Sequence, residues 1–249
     1  MRRIIALVAL LITWTAGAAA ESKQTIVMVH GAWGGAWQFS RIEPFLREAG
    51  YDVRRVTLTG LGERSHLASK DIGLETHIED VANVLRFEQL HDIILLGHSY
   101  GGMVITGVAD RMPDRIARLV YLDAILPSDG ESAADVMQPG SQQLLAAAKE
   151  GFITPWWVGP DKPYPKDVPH PAKTFTDKLA LKNPQAAALP AVYILTVDAG
   201  KEAEADDFYP SSQRAAKRGW PVITMTGDHN PHWRQPEKTA EIIAEALAR

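Results

Sequence analysis

Six short aliphatic and β-branched runs recur along this chain: Thr25 to His30, Val53 to Leu58, Asp92 to Leu96, Ile116 to Leu122, Val192 to Val197 and Val222 to Met225. Stretches with helical spacing lie between most of them: Gln38 to Ala49, His77 to Gln89, Gly101 to Met112 and Ser211 to Arg218. A last one runs from Pro236 to the end. Strands joined through helices rather than hairpins imply right-handed crossovers. The product is a mostly parallel sheet with helices on both faces, an α/β class. Runs apolar on both sides, such as TIVMVH and DIILL, fit strands buried on both faces. In such sheets ligands sit outside the carboxyl ends of the strands, so chemistry is sought just after each run.

The 249 residues suffice for one large domain. A net charge of −4 gives no reason to expect nucleic acid or an anionic membrane surface as partner. The chain contains no cysteine, which excludes disulfides, thiolate catalysis and cysteine-based zinc sites. Arg2 and Arg3 precede an apolar run from Ile4 to about Thr13, followed by Ala18, Ala19 and Ala20. A positive start, a short apolar core and an A-x-A end are expected of a secretory signal peptide over residues 1–20, cleaved after Ala20. The run is shorter than the roughly 20 residues that span a bilayer, so stable membrane insertion is not expected. The expected mature protein is exported, periplasmic or secreted.

Between about 126 and 190 the alternation breaks, with prolines at 139, 155, 160, 163, 165, 169 and 171 around Trp156 and Trp157. Linkers rarely carry paired tryptophans, which need somewhere to bury. An inserted cap over the strand ends is expected there.

Gly97-His98-Ser99-Tyr100-Gly101 follows the run DIILL and opens a helical stretch. A serine between glycines at a strand-to-helix turn is the G-x-S-x-G nucleophile elbow, because only small flanking residues fit the tight turn. A serine hydroxyl needs a base to accept its proton. Of eight histidines, His30 and His98 belong to turns, and His66, His77, His91 and His170, with no strand immediately before them, read as surface or helix residues. His229 follows the run VITM before the last helix and is favoured over His232. A metal site at His229 and His232 lacks a third ligand; neither metal nor cofactor is expected. An acid must orient the histidine. Asp198 follows VYILTV directly and is favoured; Asp123 after RLVYL is a rival, and Asp206 and Asp207 are further ones. The N–H groups of Ala32, in the turn after the first strand, and Tyr100, after the nucleophile, are the expected oxyanion donors. Trp33, Trp37 and Trp233 are equally readable as core or pocket lining.

With HGAWGGAWQF, LTGLGERSHL, LLGHSYGGMVI, VYLDAILP and TGDHNPHWRQPE, the chain resembles the α/β-hydrolases grouped with plant methyl esterases and hydroxynitrile lyases, and their bacterial esterase relatives. The resemblance implies the α/β-hydrolase fold and a triad of Ser99, Asp198 and His229, with Ala32 and Tyr100 at the oxyanion hole. It implies hydrolysis of small-molecule esters through an acyl-enzyme; the oligomeric state stays open. A cyanohydrin lyase and a non-catalytic ligand receptor are the alternatives. The lyase members carry a lysine after the catalytic histidine and a threonine at the oxyanion turn, where this chain has Asn230 and Ala32. The loop after Asp198, AGKEAEADDFYP, is longer and more acidic than the family pattern.

Overall fold

The computed structural model describes residues 23–137 and 140–248; the segment read as a signal peptide lies outside them, apart from which the expected strands all form. In chain order the elements are β1 (Thr25–Val29), α1 (Glu43–Glu48), β2 (Asp52–Val56), α2 (Leu74–Phe87), β3 (Ile93–Ser99), α3 (Gly101–Arg111) and β4 (Ile116–Ala124). Four short helices follow, α4 (Ala133–Val136), α5 (Gly140–Ala146), α6 (Lys173–Thr176) and α7 (Pro184–Ala187), with the two-residue strands β5 (Phe152–Ile153) and β6 (His170–Pro171) among them. The chain closes with β7 (Ala191–Val197), α8 (Tyr209–Lys217), β8 (Val222–Thr226), α9 (Pro231–Arg234) and α10 (Pro236–Leu247).

Six strands form one sheet in the order β2-β1-β3-β4-β7-β8, every neighbouring pair parallel. Alternate side chains serve opposite faces, as the two-residue period of a strand requires. Val27, Val29 and Leu95 pack with Val81 and Leu85 of α2 and Val104 of α3. Ile26, Met28, Ile94 and Leu96 pack on the other side with Leu46 of α1 and Ile243 of α10. Each such burial contributes roughly 2 kcal/mol. Among the described residues, no helix is long and apolar enough to cross a membrane.

The structure corrects three expectations. The helix read over Gln38 to Ala49 is a 3-10 turn at Ala36–Phe39 followed by the shorter α1. The paired tryptophans do not bury together: Trp156 is 89% exposed, while Trp157 lies edge-on to Trp33. His170, read as a surface or helix residue, is fully buried in β6.

Candidate active site

At the carboxyl end of β3 the chain reverses into α3 through Ser99, whose φ of +54° is the strained elbow conformation. Crowding explains the glycines here. A Cβ on Gly101 would lie 2.5 Å from the Val29 carbonyl oxygen, and one on Gly31 would lie 2.9 Å from Ser99 Cβ. Gly31 thus lets the turn after β1 approach the serine.

The structure brings Ser99 and His229 together. Ser99 Oγ–H donates to His229 Nε2 at 3.0 Å, and His229 Nδ1–H donates to Asp123 Oδ2 at 2.7 Å. A carboxylate accepts only, so its contact fixes the histidine proton on Nδ1 and leaves Nε2 as the base. Asp123 is fully buried, and its second oxygen accepts the Thr196 N–H of β7 at 3.0 Å. Phe208 stacks flat on the His229 ring, centroids 4.6 Å apart. His98 Nε2–H donates to the His229 carbonyl at 2.7 Å, tying the elbow to the histidine loop. Hydroxyl, base and carboxylate therefore stand in series, an arrangement able to deprotonate a serine as it attacks.

Asp198 is not part of this series, a correction to the sequence reading. It lies one residue beyond β7 with its side chain 48% exposed, and its carboxylate holds Lys201 Nζ at 2.7 Å. Asp123 takes the position because β4 bulges. The β3–β4 register runs His98↔Leu122 and then Ser99↔Ala124, skipping Asp123, whose φ is +45°. The extra residue turns the Asp123 side chain out of the ladder toward His229, as bulges re-aim side chains beside active sites. Sequence inspection singles out both aspartates but carries no signal for the bulge.

Ala32 lines the same cavity as Ser99, and Tyr100 is the residue before α3, where the first N–H groups of a helix lack partners within it. The cavity measures about 370 Å³. Trp33, Leu144, Trp157 and Phe208 supply apolar walls; Asp167, Asp206 and Asp207 lie along it, and among the described residues no lysine or arginine does. Burial raises the Asp167 and Asp206 carboxyls above the usual range. Asp167 Oδ2 accepts the Trp157 indole N–H, while its buried Oδ1 has no partner among the described residues. Among the described residues, no three His, Asp or Glu side chains converge as metal ligands would.

Around the site lie histidines that burial holds neutral. His30 and His77 are lowered to about 4 and His232 to about 3. His98 and His170 fall well below the usual imidazole value for the same reason. His232 packs 4.4 Å from the His98 ring, and neither of its ring nitrogens has a hydrogen-bond partner among the described residues.

This parallel sheet with a serine elbow defines a class, and the chain belongs to the alpha/beta hydrolase family, whose model matches residues 26–242. It is similar to the carbendazim hydrolyzing esterase of Nocardioides sp., 37% identical over 88% of this chain and 97% of the relative. The pyrethroid hydrolase of Sphingobium wenxiniae is 28% identical over 88% and 86%. A solved extracellular alpha/beta-hydrolase from a Paenibacillus species superposes with a TM-score of 0.75 at 28% identity, covering 90% of this chain and 98% of that one. With such relatives, the chain is an α/β-hydrolase of the carboxylic ester hydrolase type.

Proposed function

We propose that the protein cleaves small carboxylic esters through a serine acyl-enzyme, with Ser99 as nucleophile, His229 as base and Asp123 as the acid. The hydrogen-bonded series Ser99–His229–Asp123, open to a cavity, carries this reading. Ser99 Oγ attacks the ester carbonyl carbon as its proton passes to His229 Nε2. Negative charge on the carbonyl oxygen is taken by the Ala32 and Tyr100 N–H groups. The C–O bond to the alcohol breaks as His229 returns the proton to the leaving oxygen. Water, deprotonated by the same histidine, then releases the acid and restores the serine. The Asp123 carboxylate, against His229 Nδ1, offsets the imidazolium.

A fluorophosphonate should therefore place one adduct per chain on Ser99, read by peptide mass spectrometry. Label that persists in Ser99→Ala overturns the assignment.

The carboxylates of the cavity extend the reading to substrate charge. With Asp167, Asp206 and Asp207 along the wall and no lysine or arginine lining it among the described residues, a negative group on the ester meets repulsion. Neutral aryl esters should exceed carboxylated analogues on the order of ten-fold in kcat/KM, and the gap should narrow as salt rises. Equal rates at low ionic strength contradict it. Relatives named for carbendazim and pyrethroid hydrolysis support neutral esters as the place to begin a substrate panel. Asn230, next to His229, offers no cation for a departing cyanide, so cyanohydrin cleavage above background is not expected.

We also propose export, on the sequence of residues 1–20 alone. Amino-terminal sequencing of the cell-envelope or secreted protein should begin at Glu21; soluble cytoplasmic protein retaining Met1 contradicts it.

A further inference from the structure

Trp33, one residue after the oxyanion donor Ala32, has a φ of +62°, a conformation that strains a bulky L-residue. Something must hold it. Gly34 N–H closes the turn on the Ala32 carbonyl at 2.8 Å, and the other holders come from the segment between β4 and β7. Trp33 N–H donates to His170 Nδ1 at 3.1 Å, its indole N–H donates to the Ile153 carbonyl at 3.1 Å, and its own carbonyl accepts the Val168 N–H at 2.8 Å. Phe175 and Trp157 pack on its ring.

The His170 contact has a fixed direction. Thr174 Oγ1–H donates to the Pro171 carbonyl at 2.8 Å, so Thr174 Oγ1 is left to accept, and His170 Nε2–H donates to it at 2.7 Å. With the proton on Nε2, Nδ1 presents a lone pair to the Trp33 N–H. Full burial keeps His170 neutral, which preserves that lone pair. The peptide so clamped joins Ala32 to Trp33. The adjoining peptide carries the Ala32 N–H; its Gly31 carbonyl accepts His30 Nδ1–H at 2.7 Å, and its orientation is coupled through Ala32 to the clamped peptide.

We infer that His170 is a positioning residue: its Nδ1 clamps the Ala32–Trp33 peptide and so holds the Ala32 N–H where the oxyanion forms. The inference rests on the esterase reading above. It makes the segment between β4 and β7 part of the transition-state machinery as well as a wall of the cavity.

The test compares full-length wild type with His170→Leu, which lacks the acceptor, and His170→Asn, whose Oδ1 reproduces it. His170→Leu should lower kcat roughly 10- to 100-fold, a fraction of what deleting an oxyanion donor costs, with KM within about three-fold. Its affinity for an aryl trifluoromethyl ketone, which adds to the serine and mimics the tetrahedral state, should fall by the same factor as kcat/KM. His170→Asn should recover about ten-fold of kcat although its thermal midpoint falls as well. Undiminished kcat in His170→Leu, or His170→Asn as slow as His170→Leu, overturns the inference. If His170→Leu does not fold, Thr174→Val substitutes for it, because it frees the imidazole proton to move to Nδ1. A several-fold loss of kcat at constant KM then supports the inference, and no loss overturns it. Failure of the esterase reading itself shows separately, as a wild type that hydrolyses no ester.

Discussion

Asp123→Asn is expected to lower kcat by about 10⁴-fold while Asp198→Asn stays within about two-fold of wild type. An asparagine at 123 presents an amide N–H as readily as an oxygen to His229 Nδ1. Accepting that N–H moves the imidazole proton to Nε2, where it blocks the serine proton, so the loss is of the wrong-tautomer kind. Asp198 pairs with Lys201, in solvent. Ser99→Ala and His229→Ala should each cost at least as much as Asp123→Asn. The double variant should lose little more, because the members act as one unit. Steady-state kinetics on one aryl ester, with circular dichroism to confirm folding, decides it. A mild Asp123→Asn beside a crippled Asp198→Asn would reverse the assignment.

Stability is expected to fall steeply as pH drops below 6.5, through the histidines packed around the site. His30 and His77 at about 4 and His232 at about 3 resist protonation when folded, because burial penalises the charge. In the unfolded chain they take up protons near pH 6.5. Between those values the unfolded state binds more protons than the folded one, so stability is lost as pH falls. Each histidine contributes about 1.4 kcal/mol per pH unit in that window, so the three together remove roughly 4 kcal/mol between pH 6 and pH 5. Asp167 and Asp206, whose carboxyls burial raises, oppose this but only where carboxylates titrate. A domain is typically stable by 5–15 kcal/mol, so this loss is large. Urea midpoints at pH 7, 6 and 5 should fall accordingly. His232→Leu should reduce the pH slope by about one proton, since His232 makes no hydrogen bond that leucine would forfeit. Equal midpoints at pH 7 and pH 5 would sink the argument.

Local signals sufficed for the sheet and for two members of the site. A strand buried on both faces writes an unbroken apolar run, and β1, β3, β4 and β7 are runs of that kind. The elbow is equally local. Its glycines answer to contacts within a few residues of Ser99 and to the strand beside it. His229 was legible by order along the chain, after the last strand and before α10.

The acid was not. Asp123 and Asp198 both follow an apolar run and look alike as sequence. What separates them is a one-residue slip between β3 and β4, and pairing register is a property of two strands and their neighbours. The burial of His170 was hidden for the same reason. Its partners are Trp33, 137 residues away, and a threonine whose own hydrogen bond fixes its direction. The residues near Ser99 in the chain thus fixed the elbow by sterics. Long-range packing, which sequence spacing does not encode, decided which carboxylate stands against His229 and what holds the turn after β1.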